Sequence, residues 1–171
     1  MHRASGLSFP LIAVVACGLL AGCGGGGGDE DSYVKTYQGA CEKLTNEVAS
    51  YQKAVTEIAG GAQKDPAAAV SGYKAASVKL FDVFLAQIQT MGDADAPDEY
   101  QDFQGQIEKD LSSTRSGIEE AKKAVSGVKT TKDLQSIGTK LNAIEIDTKA
   151  TLPDELAEKA PACTVLGASG S

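Results

Sequence analysis

The residues best able to do chemistry in this chain are four cysteines, one histidine, a Ser-x-x-Lys step and a run of carboxylates. Ser71-Gly72-Tyr73-Lys74 sets a hydroxyl and an amine one helical turn apart, where the amine could act as general base for a nucleophilic serine. Such chemistry also requires companion motifs and a mixed sheet to carry them, and the sequence offers neither. In a chain this rich in serine and lysine the step is a chance match. Further on, Asp93, Asp95, Asp98 and Glu99 bring four carboxylates into one short stretch. A calcium loop of the EF-hand kind counted from Asp93 would need Gly at its sixth position and Glu at its twelfth. Asp98 and Gln104 stand there instead, so the stretch reads as a solvated turn whose acids favour the helix start that follows. No metal site and no cofactor are assigned.

A more specific pattern lies near the N-terminus. Met1-His2-Arg3 holds the only positive charge before Lys35, and no charged residue occurs between Ala4 and Gly28. Within that span Leu11 to Leu20 is a short apolar run followed by small residues, the layout of an export signal. The run is shorter than the roughly 20 apolar residues that cross a bilayer. At its end, Leu20-Ala21-Gly22-Cys23 resembles the lipobox of bacterial lipoproteins: Leu, a small residue, Gly or Ala, then Cys. The resemblance covers residues 1–23 only, and all four positions match. It implies cleavage between Gly22 and Cys23, a diacylglyceryl group on the Cys23 sulfur, and acylation of the new amine. Two or three acyl chains hold a protein stably on a membrane where one is marginal. Gly24, the next residue, does not resemble the family's inner-membrane retention signal. The expected location is therefore the extracytoplasmic face of the cell membrane or outer membrane.

The same cleavage would remove His2, the only histidine in the chain. A mature chain without imidazole has no Ser-His-Asp or Cys-His machinery, no histidine-ligated haem and no Glu-x-x-His di-iron site. Cys17 would leave with the signal and Cys23 is the lipid site, so Cys41 and Cys163 remain, one near each end of the domain. Outside the cytoplasm such a pair reads as a disulfide. The precursor carries 16 basic and 23 acidic residues; losing Arg3 leaves 15 against 23, a net −8. That surface disfavours nucleic acid and gives no attraction to anionic headgroups, so the lipid must do the anchoring.

These groups need elements to position them, and the periodicity of the mature chain is helical. Val34, Tyr37, Cys41, Leu44, Val48, Tyr51, Val55 and Ile58 alternate at three and four residues, the seam of one long helix closed by Gly60-Gly61. A second helix opens with Asp65 as N-cap and Pro66 at the first position, and stops at Gly92. The third follows Pro97. A fourth begins near Thr130-Thr131 and would bury Leu134, Ile137, Leu141 and Ile144. A last short turn runs from Pro153 to Lys159. The expectation is an all-α, antiparallel four-helix up-down-up-down bundle, stapled by the disulfide. An even number of antiparallel helices returns the chain to its starting pole, which is where Cys163 would meet Cys41. The interior glycines Gly39, Gly72, Gly105, Gly117, Gly127 and Gly138 work against this reading, because each costs about 1 kcal/mol relative to alanine in a helix.

Four segments follow: a signal peptide over 1–22, a lipidated Gly-rich acidic tether over 23–32, the bundle over 33–163, and a disordered tail over 164–171. Nine flexible residues would give the tether a reach of roughly 15–18 Å. The second helix carries an unusually wide apolar arc, so Val78, Phe81, Val83 and Leu85 are candidate residues of a partner surface. The functional expectation is a non-catalytic, membrane-anchored lipoprotein that binds an envelope protein or serves the envelope structurally. The alternative is a carrier of a small apolar or metal-linked ligand in a pocket between helices. An enzyme is not expected.

Overall fold

A computed structural model of the protein describes residues 27–134 and 150–167. Among these residues every regular element is helical, and no strand occurs. Helix α1 spans Glu30–Gly61, α2 Pro66–Gly92 and α3 Gln101–Ser126, the last preceded by a 3-10 turn at Asp98–Tyr100. Two short helices close the described chain, α4 at Asp154–Lys159 and α5 at Ala162–Gly167.

Local chemistry accounts for where these helices start. The Asp29 carboxylate caps α1 by accepting from the Ser32 N–H at 2.8 Å, with Glu30 and Asp31 in the positive first turn. Asp65 caps α2 through the Ala68 N–H at 2.9 Å, and Pro66 stands where its missing N–H costs nothing. A further helical turn opens at residues 131–134 on a reciprocal cap. There Thr130 Oγ1 accepts from the Asp133 N–H, and the Asp133 carboxylate accepts from the N–H groups of Lys129 and Thr130. The Lys129 N–H and then Thr130 hold that carboxyl below the usual range. The remaining positions expected in a fourth helix, Ile137, Leu141 and Ile144, lie outside the described residues.

Cross-helix pairs fix the directions. Tyr51 meets Tyr73 and Glu47 meets Lys79, so numbers fall along α1 as they rise along α2. Asp82 pairs with Lys122 and Gln89 with Arg115, which makes α3 antiparallel to α2 in turn. Helix α2 therefore packs between α1 and α3, and this two-sided packing accounts for its wide apolar arc. Two apolar clusters result. The larger joins Tyr33, Tyr37, Cys41, Ala96, Tyr100, Leu156, Ala160 and Cys163 at the pole where α1 begins. The smaller joins Val70, Val125 and Val128 toward the opposite end, with Leu134 beside it.

Cys41 and Cys163 form a disulfide across 122 positions of sequence, closing the larger cluster. Two segment boundaries differ from the sequence reading. Asp29 to Ser32 belong to the capped start of α1 rather than to a tether, because three acids beside free N–H groups stabilise a helix end. At the other end α5 continues through Gly167, past the tail boundary expected at Thr164. The α1 seam is also uneven: Tyr37, Cys41 and Leu44 are buried, while Val48, Tyr51, Val55 and Ile58 are half-buried.

Candidate functional site

The densest arrangement of functional groups is the stapled pole. Helix α1 supplies Tyr33 and Tyr37 one turn apart, the 3-10 turn supplies Tyr100, and the first turn of α3 supplies Phe103 and Gln104. Tyr33 stacks on Tyr100 with ring centroids 5.4 Å apart and tilts against Tyr37 at 4.8 Å. Phe103 closes the group against Tyr37 at 5.8 Å. Such pairs contribute about 0.5–1.5 kcal/mol each beyond their buried area.

Gln104 is the polar centre of this cluster, and only 4% of it is exposed. Its Oε1 accepts from the hydroxyls of Tyr33 and Tyr37 at 2.9 and 2.8 Å. Its Nε2 donates to the carbonyls of Met91 and Gly92 at 3.0 and 3.1 Å. Both lone pairs and both protons of the amide are thus used, the full capacity of this side chain. One residue thereby ties the start of α1 to the end of α2 and the start of α3. Burial, the dominant effect, pushes the phenols of Tyr33, Tyr37 and Tyr100 above their usual pKa. They stay protonated, Tyr33 and Tyr37 as donors to Gln104, and are not poised as bases or nucleophiles. The Tyr100 hydroxyl is buried with no hydrogen-bond partner among the described residues.

The leader into α1 is docked on the same pole. The Gly28 N–H donates to the Ala96 carbonyl at 3.1 Å. A Cβ on Gly28 would overlap the Asp95 carbonyl and lie 2.6 Å from its carbon; one on Gly27 would lie 2.8 Å from the Asp98 nitrogen. Neither glycine has positive φ, so the requirement is for close approach of two backbones. At the outer edge Lys159 bridges Glu155 and Glu30, and those two carboxylates, Glu155 foremost, raise the Lys159 pKa.

Two open clefts are found among the described residues. One, of about 340 Å³, runs between α2 and α3 and is lined by Ile88, Gln89, Gly92, Asp93, Glu108, Leu111, Ser112 and Arg115. The Arg115 guanidinium there donates to the Gln89 amide, which in turn donates to Asp93. The other, of about 330 Å³, lies at the α1–α2 turn beside Ile58, Gly61 and Ala69.

The residues singled out from sequence fall in different places. Cys41 and Cys163 meet in the pole, while Gly22 and Cys23 lie outside the described residues. Val78 and Phe81 are half-buried against the Val70–Val125–Val128 cluster, and Val83 and Leu85 are half-buried further along α2. Ser71 is exposed and Lys74 half-buried, with no hydrogen bond between them. The carboxylates of residues 93–99 do not converge: among the described residues no three acidic, Cys or His groups are placed to hold a metal ion. Asp93 and Asp98 instead accept from Gln89 and Gln101.

Tyr33 and Gln104 were not legible as a site. Gln104 did leave a signal, since it stands three residues before Ile107 and seven before Leu111 on the apolar face of α3. Searched against known protein families, curated proteins and solved structures, the chain finds no match.

Proposed function

We propose that this protein is a lipid-anchored, extracytoplasmic lipoprotein whose helical domain has a non-catalytic role, binding an envelope protein or serving the envelope structurally. The observation that carries the reading is Leu20-Ala21-Gly22-Cys23 at the end of an apolar run, directly ahead of a disulfide-closed domain. Disulfides persist in oxidising compartments, which is where that leader would deliver the chain. The absence of histidine after His2 and the structural use of Gln104 and the buried phenols support a binding role over catalysis.

The four-helix, up-down-up-down closure belongs to the same proposal. Leu134 packs beside Val125 and Val128, and the Ala150 N–H donates to Asp110 at 2.9 Å. The step from Leu134 to Ala150 is one residue longer than the step from Asp110 to Val125 along α3. A fourth antiparallel helix would match that distance at the helical rise. The carrier reading draws its support from the α2–α3 cleft, whose volume of about 340 Å³ sits at the low end of the range for small-ligand sites.

The test is Cys23→Ala in the exporting host. The wild-type chain is expected in the membrane fraction with an acylated N-terminal cysteine by mass spectrometry, and the variant is expected to be released or left unprocessed. Unchanged retention of the variant would refute the anchor. Crosslinking in the native envelope then separates the roles: a captured protein favours partner binding, and a small molecule released on denaturation favours the carrier.

A further inference from the structure

The docked leader constrains more than the start of α1. Gly27 and Gly28 lie against the connection between α2 and α3, with the Gly28 N–H on the Ala96 carbonyl and no space for a side chain at either position. Docking leaves only Gly24 to Gly26 between Cys23 and the bound segment. Four residue steps reach at most about 14 Å when fully extended. Helix α1 has 32 residues, so the domain extends about 48 Å away from that point. We propose that the stapled pole is the membrane-facing surface of the domain and that the α1–α2 turn at Gly60–Asp65 is the end presented away from the bilayer. This rests on the lipid-anchor reading of Cys23 and deepens it.

Charge indicates the kind of surface involved. Around the docked glycines the exposed groups Asp29, Asp95, Asp98 and Glu99 are all acidic. Opposing them, Lys159 is already paired with Glu155 and Glu30. Anionic headgroups would repel this rim within a Debye length of about 8–10 Å. The pole therefore fits a zwitterionic headgroup layer. Laying the −8 domain flat would bring more negative charge toward an anionic one, so tipping over is disfavoured there as well. The docking of Gly28 sets the stand-off distance, because undocking would free the whole leader up to the Asp29 cap.

The chain contains no tryptophan, so one introduced indole is a unique ruler. The mature lipidated protein, carrying either Glu99→Trp or Lys64→Trp, is reconstituted on phosphatidylcholine vesicles with a trace of dansyl-labelled headgroup. Energy transfer from Glu99→Trp is expected to exceed that from Lys64→Trp several-fold. Gly28→Val, which undocks the leader, and four glycines inserted after Gly24, which lengthen it with the docking intact, should each weaken transfer from Glu99→Trp. The insertion serves if the valine variant does not fold. Equal transfer from the two positions, or stronger transfer from Lys64→Trp, would overturn the orientation while leaving the anchor standing. Failure of the lipidated chain to sediment with the vesicles would overturn the anchor instead.

Discussion

At the scale of single residues, Gln104 has the largest predicted effect outside the disulfide. Gln104→Leu keeps the volume roughly constant but leaves the hydroxyls of Tyr33 and Tyr37 and the carbonyls of Met91 and Gly92 without their partner. An unsatisfied buried polar group costs about 1–3 kcal/mol, and several share this one. The variant should therefore lose about 3 kcal/mol or more in urea unfolding. A loss under 1 kcal/mol would mean that water replaces the amide. The phenols give a second residue-scale test. Tyr33, Tyr37 and Tyr100 are pushed above the usual tyrosine pKa chiefly by burial, and Tyr51 is pushed up to about 12 by the same cause. A group whose folded pKa is raised binds its proton more tightly in the folded state. Its contribution is whole below the unfolded value near 10 and is lost as pH rises through the folded value. Stability should be insensitive to these groups at neutral pH and decline above about pH 10. Phenolate absorbance should then rise together with loss of helix signal; full titration at ordinary tyrosine pKa without unfolding would contradict the burial.

At the scale of elements, the helix-interior glycines divide by what surrounds them. Among the described residues nothing lies within 4 Å of a Cβ built on Gly39 or Gly105, whereas one on Gly72 would meet the Ile58 side chain at 3.2 Å. Gly39→Ala and Gly105→Ala should each stabilise by about 1 kcal/mol and raise the melting temperature by a few degrees. Gly72→Ala should gain less, because Ile58 must shift. Thermal melts of the three variants check the ordering. Element starts were the most legible part of the sequence: Asp65-Pro66 and Gly92 mark the limits of α2 because capping is local chemistry. The Cys41–Cys163 bond was legible from cysteine count rather than from any spacing. What could not be read were contacts between distant residues. Tyr33 and Gln104 are separated by 71 positions, and nothing in a helical period says which polar residue on an apolar face will find a partner. At Gly27 and Gly28 the sequence could not separate a flexible linker from a docked one, since flexibility and close backbone approach favour the same residue.

At the scale of the whole molecule, the chain is held at one pole by a bond and at the other by packing. The disulfide links the first long helix to the last short one across 122 positions, and both cysteines are buried. The chain-entropy model gives a loop of that length about 5 kcal/mol, an upper figure for the gain. Cys41→Ser with Cys163→Ser should therefore lower stability by about 2–5 kcal/mol in denaturant titration. Equal midpoints for the oxidised and double-substituted proteins would show that the staple does not stabilise the fold. In the oxidised protein neither sulfur should react with an alkylating reagent, even in denaturant, until a reductant is added.

The same bond has a meaning in time as well as in space. Cys41 lies near the start of the domain and Cys163 near its end, so a chain made or delivered from its N-terminus holds an unpaired thiol until almost all of it has arrived. Ring closure over so long a separation follows the local helices rather than leading them. The oxidation state of Cys41 is thus a record of completion. A chain cut short before Cys163 keeps a free sulfur that an intact one has buried, and a thiol-reading quality-control step could tell the two apart without inspecting the rest of the fold.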